Sequence, residues 1–358
     1  MCLYGTIRKN KRYESNSKNG GVIPTVSDIR AMAVPIGCGR CMECRKQNAR
    51  EWHVRMLEEI KDNKNGKFVT LTFSNESIKE LYEVVKRKGE YRGYEIDNEI
   101  ATIAVGRWRE RWRKQYKTSP RHWLITELGH KGTENVHMHG IVWTDQKNKD
   151  IDRHWGYGYT WTGYEDEWGN VENYVNGNTV SYMMKYVQKI DADHKEYKSK
   201  ILTSSGIGAG YLNREDSKRH EFRGAETIQT YRTSSGHEIA LPKYYRNKLW
   251  SDEEREKLWM HQLDKQVRYV GGEKVDIKDS EEEYYKLLEW YREKNTRLGY
   301  QTNVIDWNRK KYEEERRIYM LQSRIEPNAR EWLAGYAPPD KEHRAITAIE
   351  WGLGKERQ

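Results

Sequence analysis

The chain reads as an α+β protein: a central antiparallel sheet with helices packed mainly on one of its faces, followed by an α-helical accessory region. Three observations predict this. Residues 68–73, 122–127 and 136–143 are short runs rich in β-branched and aromatic side chains, as strands require. The segment between the second and third runs, 128–135, is short and polar and holds Gly129 and Gly132, which suits a hairpin joining antiparallel neighbours. Around the runs, apolar residues recur every three or four positions, the period of a helix with one buried face.

All four cysteines lie at the front of the chain: Cys2, Cys38, Cys41 and Cys44. A helix follows them, with Trp52, Met56, Leu57 and Ile60 on one side, and residues 63–66 end it. After the first strand, Ser74 or Asn75 caps a helix whose apolar face is Ile78, Leu81, Tyr82 and Val85, and Gly89 stops it. A longer helix over about 98–116 carries an Arg/Trp-rich segment, 107–114. Trp108 and Trp112 share one face of it, and the arginines spread over the others. Arg107, Arg111 and Trp108 are therefore candidates for contact with DNA; a solvated charged face over a Trp-anchored core reads equally well.

Residues 144–178 form an irregular excursion with one hairpin, and Thr179 or Ser181 opens a helix through Ile190. Residues 203–210 read as a flexible glycine-rich loop, which lacks the Lys-Ser/Thr ending of a nucleotide-binding loop. In the last third, Ser251-x-x-Glu254 and Ser280-x-x-Glu283 have the form of capping boxes. Charged helices follow, marked by Leu258 and Met260, by Leu287, Leu288 and Trp290, and by Ile318, Met320 and Leu321, with a turn at Gly271-Gly272. The organisation expected is a Cys-rich segment and helix over 1–66, a core over 67–250 and the accessory region over 251–358.

Lys and Arg number 64 against 55 Asp and Glu, a formal net charge of +9, and the chain holds 14 Trp and 25 Tyr. Cations that track phosphates and rings that stack on bases suit a single-stranded nucleic-acid partner, although charge alone also describes a merely basic protein. No apolar run is long enough to cross a membrane, and no apolar stretch follows Met1. The expected location is the cytoplasm, with no membrane partner.

The chemistry concentrates in His137-Met138-His139. A strand sends alternate side chains to opposite faces, so both imidazoles point the same way. Taken alone, such a pair is an ordinary surface feature. Glu127, on the preceding run, can add a carboxylate to that face if the two strands pair; Glu134 and His130 compete for the same role. Two neutral imidazoles and a carboxylate bind a divalent cation and leave positions open to polarise a substrate oxygen. Phosphate substrates go with Mg²⁺ or Mn²⁺, and imidazole ligands shift the preference toward Mn²⁺. Downstream, Tyr182 and Tyr186 lie four apart on a helix and present two hydroxyls to one place, with Lys189 three residues further on. Two tyrosines packing a helix to a sheet would have the same spacing.

A Phe68-x-Thr-Leu-Thr-Phe73 strand, a carboxylate strand followed by His137-x-His139, and a two-tyrosine helix with a lysine resemble the three ordered motifs of HUH endonucleases. The chain is more closely similar to the replication initiators of microviruses, single-stranded DNA phages of the gokushovirus-like branch. Met1-Cys2, Cys38-Gly-x-Cys41-x-x-Cys44-Arg45, Glu127-Leu-Gly129, Gly206-Ile-Gly208 and Leu241-Pro-x-Tyr-Tyr245 carry that resemblance, which spans roughly residues 1–250 and fades beyond. It implies an HUH, ferredoxin-like core. His137, His139 and Glu127 would be metal ligands, and Tyr182 and Tyr186 nucleophiles that form a 5′-phosphotyrosyl link at a replication origin. Lys189 would steady the phosphate or a phenolate. Host polymerase and helicase would be partners. The rivals are a plasmid relaxase or transposase with the same chemistry, a histidine-metal hydrolase that uses water, and an inert zinc-containing DNA-binding protein.

Four cysteines in a cytoplasmic chain are thiols or metal ligands rather than disulfides. Cys2, Cys38, Cys41 and Cys44 would complete a tetrahedral, structural Zn²⁺ site. Unmetallated thiols rank second. An iron–sulfur cluster ranks third, because the fourth close cysteine and its proline are missing.

Overall fold

The computed structural model describes residues 2–130, 134–165, 167 and 171–302. A hairpin of β1 (Thr6–Lys9) and β2 (Ala33–Ile36) precedes α1 (Met42–Asp62), then β3 (Gly66–Leu71), α2 (Asn75–Lys88) and α3 (Tyr94–Tyr116). Next come β4 (Arg121–Leu128), β5 (Val136–Trp143), α4 (Asn148–Trp155), β6 (Thr160–Trp161), the short pair β7 (Tyr164–Glu165) and β8 (Val171–Glu172), and α5 (Gly177–Gln188). The strand β9 (Ile201–Thr203), α6 (Glu215–Lys218), the hairpin β10 (Thr230–Arg232) with β11 (Glu238–Ala240), and α7 (Lys243–Leu249) lead to α8 (Asp252–Asp264). A last hairpin, β12 (Val267–Val270) with β13 (Glu273–Asp276), and α9 (Glu282–Arg297) complete the described chain.

The expected α+β class and antiparallel sheet are what the chain forms. The central sheet has five strands in the order β6-β3-β5-β4-β9, and every pairing is antiparallel. The register sets the site: Glu127 lies opposite His137 across β4 and β5, and Thr70 opposite His139 across β3 and β5.

The helices do not keep to one face. Val69, Leu71, Leu124, Leu128, Val136, Met138 and Val142 bury themselves against α2, α3 and α4. The alternate residues Trp123, Ile125, Ile141 and Trp143 bury themselves against α1 and α5. Strands apolar on both faces need cover on both. Only the end of the second face that carries Glu127, His137 and His139 is polar, and the site forms there.

Several local expectations shift. The long helix α3 starts at Tyr94 rather than near Asn98, with Glu95 and Asp97 in its first turn, where negative charge favours a helix. The tyrosine helix starts at Gly177, ahead of Thr179: the Asn176 side chain accepts from the Thr179 amide, and the Thr179 hydroxyl accepts from the Asn176 amide. It stops at Gln188, where Lys189 takes an extended conformation as its cap. The glycine-rich loop is pinned rather than flexible. The Gly208 amide donates to Glu59 Oε2 over 2.7 Å, the Tyr245 hydroxyl donates to the Gly208 carbonyl over 2.8 Å, and Ile207 is fully buried. A Cβ at Gly208, whose φ is +73°, would stand 2.9 Å from Arg55 Cα, so only glycine suits that approach.

In the last third, the Ser251/Glu254 capping box forms, and Gly271-Gly272 makes the β12–β13 turn. The second box does not form: Ser280 accepts from the Glu282 amide, and Glu281 caps α9 without its side chain. The expected helix around Ile318, Met320 and Leu321 lies outside the described residues. No helix among the described residues is long and apolar enough to cross a membrane.

Candidate active site

Glu127, His137 and His139 meet on one face, as the pleat and the β4–β5 register require. Glu127 Oε2 lies 3.1 Å from His139 Nε2 and 3.4 Å from His137 Nε2. Metal bonds of about 2.1 Å at angles between 90° and tetrahedral put neighbouring donors roughly 3.0–3.4 Å apart, so this donor set fits one divalent cation. Each ring is held by its other nitrogen: His139 Nδ1 is 3.0 Å from the Thr70 hydroxyl, and His137 Nδ1 is 3.4 Å from the Asn135 carbonyl. Those partners leave Nε2 of both rings as the free ligand atom. Burial alone would raise the Glu127 carboxyl. Hydrogen bonds from His137, His139 and Lys189 outweigh burial and hold it well below the usual carboxylate range.

The helix α5 lays its tyrosines over this face because Val180, Met183, Met184 and Val187 bury the rest of it against α1 and the sheet. The Tyr186 ring stacks on His139 with centroids 4.5 Å apart, and the Tyr182 and Tyr186 hydroxyls share a hydrogen bond of 2.7 Å. Tyr182 is the more open of the two, at 45% exposure, and its ring meets Phe68 edge-on. Burial, the bond to Tyr182 and the Glu127 charge push the Tyr186 phenol above its ordinary value. It is therefore a neutral phenol at pH 7, and it needs a polarised electrophile to act as a nucleophile. Lys189, released from the helix at its cap, pairs with Glu127 Oε1 and lies 3.3 Å from His130 Nε2. Arg45 on α1 fixes that cap by donating to the Lys189 carbonyl over 2.6 Å.

The competing carboxylate and imidazole are engaged elsewhere. Glu134 pairs with His194 Nε2 over 3.1 Å, Asp191 pairs with His194 Nδ1 over 3.0 Å, and His130 pairs with Asp193 over 3.0 Å. His130, Asp191 and His194 could also group around a cation. With a carboxylate on each ring nitrogen, however, His194 reads as a buried imidazolium. Burial favours its neutral form, yet Asp191 and Glu134 push it up to about 9. This bridge joins the β4–β5 hairpin to the chain just past α5. Sequence reasoning missed it, and the only signal was the density of His and Asp over 191–194.

The structure also corrects the expected DNA contacts. Trp108 is fully buried against Trp112 and His122, on the sheet face opposite the histidines, so its ring has no surface to offer a base. Arg111 donates to the carbonyls of His154 and Trp155 and to the Tyr157 hydroxyl, which locks α3 to α4. Arg107 pairs with Glu80 on α2. The cations beside the tyrosines are instead Lys185, Lys189, Arg45 and Lys198. Lys198 and Arg45 line a groove of about 380 Å³ that shares Ser199 with the small cavity at Glu127, Tyr186 and Lys189.

Comparison with known proteins falls on these same residues. The chain is 26% identical over 236 residues to the replication-associated protein ORF2 of Spiroplasma virus 4, covering 61% of this chain and 69% of that protein. No solved structure matches. The model of the replication-associated protein ORF2 family matches residues 66–191. That segment runs from the start of β3 to Asp191 and holds the two histidines, Glu127, both tyrosines and Lys189, so the likeness to replication-associated proteins is a likeness across the whole candidate site.

Proposed function

We propose that this chain is a viral rolling-circle replication initiator that nicks and rejoins single-stranded DNA at a specific origin by tyrosine transesterification. One observation carries the reading: two hydroxyls 2.7 Å apart, one on a ring stacked against a histidine of a two-histidine, one-carboxylate donor set. A water-using hydrolase has no need of paired tyrosines over its ligands. The likeness to replication-associated proteins supports the biological setting.

A Mg²⁺ or Mn²⁺ ion held by His137, His139 and Glu127 would polarise the scissile phosphate. The chain's own groups do the rest. A tyrosine oxygen forms a bond to phosphorus as the bond from phosphorus to the 3′-oxygen breaks. The phenol proton is balanced by the one the departing 3′-oxygen takes up. The product is a 5′-phosphotyrosyl link and a free 3′-hydroxyl, which a host polymerase can extend. One phosphodiester replaces another, so no nucleotide triphosphate is consumed, and the reverse reaction rejoins the strand. The second tyrosine, within hydrogen-bond reach of the first, serves the second cut while the first stays attached. Lys189, anchored by Glu127, supplies positive charge for the phosphate.

The reading is tested with labelled single-stranded DNA carrying the cognate origin, incubated with Mn²⁺ or with EDTA and resolved on a denaturing protein gel. A labelled band at the mass of the protein is expected with Mn²⁺ only, and is lost in Tyr182→Phe/Tyr186→Phe. Cleavage without a protein-linked label would refute the transesterase in favour of hydrolysis. Binding without cleavage would refute it in favour of a DNA-binding protein.

A further inference from the structure

On the far side of α1 from the hairpin that carries the histidines, four cysteines converge from two distant stretches of chain. The sulfurs of Cys2, Cys38, Cys41 and Cys44 all lie within 4.8 Å of one another, and none is in a disulfide. Cys2 Sγ and Cys41 Sγ are 3.9 Å apart, and Cys38 Sγ and Cys44 Sγ are 4.0 Å apart. A zinc ion bonded to four sulfurs at about 2.3 Å sets the edge of its tetrahedron at about 3.8 Å. The sulfurs thus stand close to where one zinc ion would hold them. A cluster of several irons binds its sulfurs to different metals and spreads them further apart.

The backbone is arranged for thiolates. The amides of Tyr4 and Cys38 donate to Cys2 Sγ over 3.3 and 3.1 Å. Those of Arg40 and Cys41 donate to Cys38 Sγ over 3.5 and 3.3 Å. Four N–H groups aimed at two sulfurs offset negative charge there and would be poorly used on neutral thiols. Gly39, at a φ of +72°, makes the turn that lets both amides reach Cys38. A Cβ at Gly37 would press on Cys44 Sγ at 3.2 Å.

We propose that Cys2, Cys38, Cys41 and Cys44 hold one zinc ion as a tetrathiolate, and that this ion ties the N-terminal segment and α9 to the start of the helix that supports the tyrosines. Binding sends the thiol protons to solvent and moves no electron. Around the sulfurs, Leu3, Cys41, Met42, Val270, Leu288 and Tyr291 form one small apolar core. Two hydrogen bonds clamp it: the Met42 amide to Asn295 Oδ1 over 2.8 Å, and Arg292 Nε to the Leu3 carbonyl over 2.9 Å. The core is too small to order two chain ends by burial alone, and a metal closing a long loop supplies the missing stabilisation. From Cys41 the helix α1 runs on to pack against α5, and Gly37, Gly39 and Cys44 form one wall of the groove that leads to Ser199.

The test needs no DNA, so it stands or falls apart from the nicking reaction. The full-length chain is purified without a histidine tag, dialysed against EDTA and analysed for metal by mass spectrometry. One zinc per chain is expected, released when a mercurial blocks the thiols, and retained in full by His137→Ala/His139→Ala. Cobalt-reconstituted protein is expected to show sulfur-to-cobalt charge transfer, which reads the ligands in the unaltered chain even if cysteine variants fail to fold. Cys44→Ser is expected to lose the tight zinc and to speed amide exchange across 282–297. A chain with no tight metal and four freely titrating thiols, with disulfides, or with iron in place of zinc overturns the proposal.

Discussion

Gly140 offers a sharp test of how the site is built. It lies in β5 next to His139, and it faces Val69 on β3 and Leu124 on β4 in the register. A Cβ placed there would stand 2.8 Å from Leu124 Cα and closer still to the Trp123 carbonyl oxygen, where ordinary contact begins at 3.4 Å. The Leu124 contact alone asks β4 to retreat by about 0.6 Å, and the oxygen asks for roughly twice as much. Both obstacles are backbone, so no side-chain rotation relieves them. Glu127 rides on the strand that must move, three residues further on, while His137 and His139 stay on β5. The Glu127–His139 separation of 3.1 Å would open toward roughly 4 Å, beyond what one cation can bridge. Gly140→Ala should therefore cost about 1–3 kcal/mol or more from overpacking. It should also weaken Mn²⁺ binding at least tenfold, and a misplacement of about 1 Å at a reacting centre can cost about a hundredfold in rate. Urea unfolding and Mn²⁺ titration by electron paramagnetic resonance read the two effects. The control is Gly106→Ala in α3, where nothing lies within 4 Å of the new methyl; it should be neutral or add up to about 1 kcal/mol. Wild-type stability and Mn²⁺ affinity in Gly140→Ala would refute the strand register on which the site depends.

Three further outcomes follow from the same geometry. Thr70→Val removes the partner of His139 Nδ1 and should lower metal affinity by about 10- to 100-fold with little change in fold, measured by the same Mn²⁺ titration. Arg111→Ala breaks three hydrogen bonds between α3 and α4; it should cost about 2–3 kcal/mol in urea unfolding while leaving the affinity for single-stranded DNA and its salt dependence unchanged. His194 is raised in the folded state from about 6.5 to about 9, so its contribution is fully present below pH 6.5 and is lost as pH rises through 9. At about 1.36 kcal/mol per unit, this bridge accounts for on the order of 3 kcal/mol, and His194→Gln should flatten the fall in stability over that window.

What the sequence disclosed was local. Period-two alternation places His137 and His139 on one face, period-four spacing pairs Tyr182 with Tyr186, and the short hairpin brings Glu127 opposite His137; each needs only neighbours within a strand, a helix or a turn. The losses came where a distant partner decides. Arg111 and Trp108 look available in a basic helical run, but the carbonyls that engage Arg111 lie more than forty residues on, and the rings and strands that bury Trp108 include one that starts beyond the helix. The apolar residues of β4 and β5 alternate between two layers of helices, and a single strand does not announce that both of its faces are covered. The start of the tyrosine helix was hidden by Gly177, a poor helix former made acceptable by the reciprocal cap of Asn176 and Thr179. His194 draws its partners from either side, Glu134 from the hairpin and Asp191 from the same loop, so only the folded chain shows the bridge.

The central claim is that a tyrosine of α5 becomes joined to DNA, and the adduct itself tests it most directly. The protein would be reacted with origin DNA in Mn²⁺, the DNA trimmed by nuclease and the protein digested and mapped by tandem mass spectrometry. The account predicts a nucleotide 5′-phosphate on the peptide holding Tyr182 and Tyr186, attached to one of those two oxygens. A modification mapped to any other residue, or cleaved origin DNA with that peptide wholly unmodified, would contradict it.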